Sequence, residues 1–275
     1  FVCAQDNHTL EVINLKNGQR IRSVPGFNEP KWVVYRPETG RLYVATAGDG
    51  KVTALDATTF KVTKEFQFKE KCNNLRFDMV TKELVVGVGK TFGSLGTIDT
   101  SKDEISGEIK LASFPKQFEL EGNLIYVNVP EANHIAVVDR TKKAVIATWP
   151  VTEAKENVPM GFDRAQHRLF VACDPGKFVA FDTTSGKSVA SLDIAEGADG
   201  VHYDLKRALI YISCGAGCIE VIKQTDADHY SKLEKIATAK DAGTSLLVPE
   251  FERLFLLVPQ KDKQDAEVRV FSTES

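Results

Sequence analysis

The sequence predicts an all-β chain, a seven-bladed β-propeller of four-stranded antiparallel blades whose first and last blades are incomplete. Three observations carry this. A short apolar string returns seven times, at a spacing of about 42 residues. It reads FVCAQ at Phe1, RLYVA at Arg41, ELVVG at Glu83, LIYVN at Leu124, RLFVA at Arg168, LIYIS at Leu209 and RLFLL at Arg253. Each full copy carries four strand signals separated by turn residues, and no stretch shows a convincing helical apolar period. A period in the low forties marks one supersecondary unit repeated radially, and four-stranded units of that length make propeller blades.

The elements follow in order. The first unit supplies FVCAQ, TLEVINL and QRIRSVPG, and the second PKWVVYR, RLYVATA, KVTALDA and KVTKEFQF. Units three to six span Asn73–Leu111, Lys116–Val151, Asn157–Ile194 and Asp199–Thr238, the last with an insertion TDADHYSKLEK between its third and fourth strands. The final unit supplies TSLLVPE, RLFLLVPQ and EVRVFS. Turn chemistry lies between the strands: PETG at Pro37–Gly40, GDG at Gly48–Gly50 and DATTF at Asp56–Phe60. Asn14, Asp56, Asp99, Asp139 and Asp182 end the third strand of five units, where an Asx side chain can start the turn to the outer strand. The first unit thus lacks its first strand and the last unit its fourth. The two gaps would be filled by consecutive chain, so a strand-donating segment is expected upstream of Phe1.

Because the repeat fills residues 1–275, one domain is expected. Formal net charge is −3, which disfavours a main task of holding nucleic acid, where affinity comes from Lys and Arg on phosphates. No apolar run reaches the roughly 20 residues of a membrane-spanning helix. The Lys-rich stretch Lys61–Lys71 is interleaved with Glu, the pattern of a solvated strand face.

The strings RLYVATAGDGKVTALDATTFKV, NHIAVVDRTKKAVIATWPV and RLFVACDPGKFVAFDTTSGKSVASL resemble the YVTN-repeat, YncE-like bacterial β-propellers. The resemblance covers the full length. It implies a seven-bladed fold and export to the periplasm or cell surface, with the signal peptide already removed. It also implies binding of nucleic acid, peptides or surface components; related propellers carry haem or copper, or act as lactonases. The residues leave open whether the chain acts alone or as a component of a larger complex.

The residues themselves offer little catalytic chemistry. His8, His134, His167, His202 and His229 share no HxH, HxxH or HExxH spacing, and no Cys-x-x-Cys-His is present, so no metal site and no cofactor are expected. There is no GxSxG elbow. Cys214 and Cys218 flank a short hairpin turn that brings them face to face, either as a disulfide or as two thiols serving as small apolar residues.

The candidate site is geometric. Aligning the units places Lys31 and Trp32, Asn73 and Asn74, Lys116 and Gln117, Asp199, and Thr244 at the start of the first strands, around the channel mouth. Lysines and amides there suit an anionic or polar ligand, and Trp32 either stacks on that ligand or fills space between blades. The leading expectation is a non-catalytic, exported propeller that binds a protein partner or a small polar ligand there. One alternative is a lactonase- or lyase-type enzyme using Asp199 and Glu29 at the same place. The other is weak single-stranded nucleic-acid binding along Lys31, Lys71 and Lys116.

Overall fold

The computed structural model describes residues 1–261 and 264–274. The chain divides into two compact units, Phe1–Ala132 with Ala136–Ala147, and Asn133–Ile135 with Thr148–Ser275. The described residues form seven antiparallel sheets, five of four strands and two of three, which are the blades of a seven-bladed β-propeller. Within every sheet, strands adjacent in sequence are adjacent in space.

In the first unit, β1 (Val2–Ala4), β2 (Thr9–Ile13) and β3 (Arg20–Pro25) make the first sheet. The second holds β4 (Pro30–Arg36), β5 (Arg41–Thr46), β6 (Lys51–Asp56) and β7 (Val62–Gln67). The third holds β8 (Cys72–Phe77), β9 (Glu83–Gly89), β10 (Gly93–Asp99) and β11 (Glu104–Leu111). The fourth sheet contributes residues to both units: β12 (Phe118–Glu121), β13 (Leu124–Val129), β14 (His134–Asp139) and β15 (Ala144–Pro150). The second unit continues with β16 (Lys155–Asp163), β17 (Arg168–Asp174), β18 (Lys177–Asp182) and β19 (Ser188–Asp193). The sixth sheet is β20 (Ala198–Asp204), β21 (Leu209–Cys214), β22 (Cys218–Gln224) and β23 (Tyr230–Ala237), and the seventh is β24 (Ser245–Val248), β25 (Arg253–Val258) and β26 (Glu267–Ser272). The first and seventh sheets are the three-stranded ones, as the strand count predicts.

The burial pattern explains the recurring string. Second and third strands are covered on both faces, so they read as continuous apolar runs. At the repeat-aligned position Tyr43, Val85, Tyr126, Phe170, Tyr211 and Phe255 are all buried, while Phe1, before the start of β1, is 44% exposed. Each such side chain contributes roughly 1.5–3 kcal/mol by leaving water. Fourth strands are solvated and dock mainly through one apolar residue near their end, such as Val24, Phe66 or Ile109.

The turns behave as their chemistry dictates. Asp56 Oδ1 accepts the Thr58 and Thr59 N–H groups at 3.1 and 2.7 Å, and Asp99, Asp139 and Asp182 accept equivalent bonds. Backbone and hydroxyl donors on residues 141 and 142, against a smaller desolvation cost, hold Asp139 down at about 2. One expectation is corrected. Residues 230–235 of the supposed insertion belong to the fourth strand, Tyr230–Ala237, so the extra chain is confined to residues 225–229. Its alternation was hidden by Lys232 and Lys235, which both reach the buried Glu220 carboxylate.

Candidate functional site

The first strands of four sheets break ladder register near their start. In β4, Pro30 pairs with Thr46 and Trp32 with Ala45, which leaves Lys31 outside the register. In β8, Cys72 pairs with Val88 and the next partner of β9 is Leu75, which leaves out Asn73 and Asn74. In β20, Asp199 is skipped between Ala198 and Gly200, and β16 shifts twice between Lys155 and Met160. A bulge bends its strand and re-aims the extra side chain. Repeat alignment had picked these positions; that they are bulges is a property of pairing, which no apolar pattern encodes.

In the first unit the bulge residue Lys31 is half-buried and donates to Gln5 Oε1. Burial lowers its pKa, and the neighbouring charges of Lys71 and Lys116 lower it further, against the opposing pull of Glu29 and Asp6. Lys116 Nζ lies 5.2 Å from the centre of the Phe114 ring. The Lys116 backbone N–H bonds the Asn128 carbonyl at 2.8 Å and Gln117 accepts from the Asn128 N–H at 3.1 Å, which fixes both residues just before β12. Lys51, Lys102, Lys142, Lys177, Lys206, Lys232 and Lys261 each have a carboxylate within 4.0 Å. Among the described residues Lys31, Lys71 and Lys116 have none that close. Lys71 and Lys116 each act electrostatically on Lys31, alongside Glu29 and Asp6, and among the described residues none of the three lysines has an ion-pair partner that close, an arrangement that suits an anion.

Trp32 resolves differently. It packs against the core around Tyr43, Leu75 and Val86, and the Arg76 guanidinium sits 4.3 Å from its ring centre. Of the two readings, space-filling is the one that its contacts describe. Asn74 is buried, whereas Asn73 is half-buried.

In the second unit Asp199 and Thr244 meet, the Thr244 hydroxyl donating to Asp199 Oδ2 at 2.7 Å. Beside them is a cluster that sequence reading missed. His202 Nε2 lies 3.0 Å from Ser245 Oγ and 3.1 Å from the Ser245 carbonyl, and the Ser213 hydroxyl donates to Ser245 Oγ at 2.7 Å. Gly200 makes room for it: a Cβ there would stand 2.6 Å from Ser245 Oγ. Only the glycine and the lone histidine were visible in sequence, and neither recurs in other units, so the repeat gave no signal.

Cys214 and Cys218 are direct partners across the β21–β22 ladder, and both are free thiols. Burial, reinforced by Cys218 and Glu220, pushes the Cys214 thiol up to about 12. Among the described residues no group of three His, Cys, Asp or Glu is placed to hold a metal. A cavity of about 10 Å³ lined by Asp78, Glu83, Thr97 and Arg140 is one water in size, too small for an organic ligand. Glu29 has a left-handed backbone and its N–H bonds His8 Nδ1 at 3.2 Å. Among the described residues no helix is long and apolar enough to cross a membrane.

No family model matches the chain, and no curated protein matches it. Solved structures do. A chain of a mitotic checkpoint complex has a TM-score of 0.81 at 12% identity, covering 95% of this chain and 81% of that one. A chain of Kuenenia stuttgartiensis hydrazine synthase has a TM-score of 0.80 at 15% identity, covering 98% of this chain and 90% of that one. At these identities the likeness establishes the fold alone.

Proposed function

We propose that this protein is a non-catalytic binding propeller of the YVTN-repeat kind, exported to the periplasm or cell surface, which holds an anionic partner on the Lys31–Lys71–Lys116 arc. The observation that carries this reading is Lys31. It is a bulge residue outside the ladder register, half-buried, with Lys71 and Lys116 as well as Glu29 and Asp6 acting on its charge. Gathering three ammonium groups costs free energy in the unbound protein, and a bound anion offsets that cost with charge-assisted hydrogen bonds. The enzyme alternative draws no comparable support, because the Asp199 carboxylate is already bonded by the Thr244 hydroxyl.

The test is charge reversal. Lys31→Glu with Lys116→Glu should cut binding of a fluorescein-labelled acidic peptide, measured by anisotropy, by about tenfold or more per charge. Unchanged binding of the peptide by the double variant would remove the site. Retention of single-stranded DNA in preference to the peptide would favour the nucleic-acid reading instead.

A further inference from the structure

The loop between β9 and β10 turns its backbone N–H groups onto one carboxylate. Glu70 Oε2 accepts from Lys90 at 2.5 Å, from Thr91 at 3.0 Å and from Phe92 at 3.3 Å. Against the cost of desolvation, these donors hold Glu70 below the usual carboxylate range. Consecutive N–H groups converging in this way form an anion-binding concavity. Glycines fix its walls: a Cβ on Gly93 would stand 1.6 Å from the Ser113 carbonyl oxygen, and one on Gly89 would stand 2.9 Å from the Phe114 ring. Phe114 is the ring that Lys116 covers. The Gly89 N–H bonds the Lys71 carbonyl at 3.0 Å, and Lys71 follows Glu70 directly. The concavity is therefore built into the same edge of the first unit as the lysine arc. Beside it Phe92 is 77% exposed, the most exposed of the large apolar side chains and unusual for a phenylalanine.

We propose that the Lys90–Phe92 loop is a carboxylate receptor occupied in cis by Glu70, and that its ligand is an acidic peptide segment whose carboxylate replaces that of Glu70 while a neighbouring apolar side chain covers Phe92. The inference rests on reading the lysine arc as an anion-binding surface and adds the chemical class of the ligand. The molecule itself displays that class, since the group in the concavity is a side-chain carboxylate. An extended peptide supplies what the surface offers: a carboxylate for three N–H donors, an apolar group for Phe92, and further acidic groups for Lys31, Lys71 and Lys116. A free carboxylate ion would leave Phe92 bare. A nucleic acid would offer phosphates where the molecule itself places a carboxylate.

The experiment compares the full chain with Glu70→Gln, which keeps the shape and removes the charge of the internal occupant. The probe is a fluorescein-labelled peptide of alternating glutamate and phenylalanine. Glu70→Gln should bind it ~10-fold more tightly than the parent chain, because the ligand no longer displaces a charged competitor. Hydrogen exchange gives a readout independent of affinity. The Lys90, Thr91 and Phe92 amides should exchange faster in Glu70→Gln and be protected again by the peptide. Equal or weaker binding by Glu70→Gln, or amides that the peptide does not protect, overturns the receptor proposal. If Lys31→Glu with Lys116→Glu still abolishes binding in that case, the lysine arc stands and only the receptor falls. If that pair also has no effect, the arc falls with it.

Discussion

Arg140 and Asp78 form an ion pair with both side chains out of water, 5% and 1% exposed. Asp78 follows β8 and Arg140 follows β14, so the pair ties the third and fourth sheets within the first unit. Burial opposes the charge on Asp78, but Arg140, the Val80 N–H at 2.8 Å and the Thr81 hydroxyl at 2.9 Å outweigh it and hold the carboxyl below its usual range. Arg140→Ala should destabilise the protein by about 3–5 kcal/mol in urea unfolding, since it strands a buried carboxylate. Because the folded pKa is depressed, the contribution of the pair is present above the unfolded carboxylate value of about 3.9 and is lost as pH falls through the lower folded value. The stability gap between parent and variant should therefore shrink only in acid. A gap that persists undiminished at the acid end would place the effect elsewhere.

Ala208 occupies a left-handed backbone position, φ 51°, in the turn between β20 and β21. Gly40 and Gly122 fill the corresponding turns of the second and fourth sheets with φ of 61° and 50°. An L-residue there costs about 1 kcal/mol through its Cβ. Ala208→Gly should raise unfolding free energy by about 0.5–1 kcal/mol, net of the greater chain entropy of glycine. A lower midpoint in thermal unfolding would contradict it.

The Ser213–Ser245–His202 cluster predicts a coupling. Gly200→Ala forces a Cβ against Ser245 Oγ and should cost about 1–3 kcal/mol. Ser245→Ala in the same chain removes the colliding atom, so the double variant should recover at least about 0.5 kcal/mol relative to additivity. Strict additivity in a double-mutant cycle would show that the Ser245 hydroxyl is not what fills the glycine's space.

Cys214 has its pKa pushed up to about 12, chiefly by burial. At pH 8 little thiolate is available to attack a disulfide reagent. Ellman's reagent should react slowly with the folded protein and fully after unfolding. Three thiols instead of the five of the sequence on unfolding would show one disulfide, with Cys214 and Cys218, partners across the ladder, the pair to map by peptide mass.

The blade pattern was legible because burial on two faces forces an apolar run, and the repeat multiplies a weak signal seven times. Tyr43 and Phe170 are visible for that reason, as are Asp56 and Asp182 at their turns. The site was only half legible. Alignment places Lys31, Asn73 and Asp199 at first-strand starts, but their bulges arise from ladder register. Lys71 and Lys116 come near Lys31 across sheets, a distance the sequence does not contain. For Trp32 the sequence offers both stacking and space-filling, and the Arg76 guanidinium over its ring comes from the next sheet, a contact that spacing does not contain. The concavity around Glu70 is made of backbone N–H groups, which every residue carries, so no residue type announces it.

The central claim is that Lys31, Lys71 and Lys116 act as one anion-binding surface. Its most direct test is the affinity of the acidic peptide for the full chain against Lys31→Glu/Lys71→Glu/Lys116→Glu, with Lys187→Glu, on a turn of the other unit, as the control. The triple variant should lose ~100-fold or more in affinity while Lys187→Glu stays close to the parent chain. Equal losses in the triple variant and the control, or no loss in either, would contradict the account.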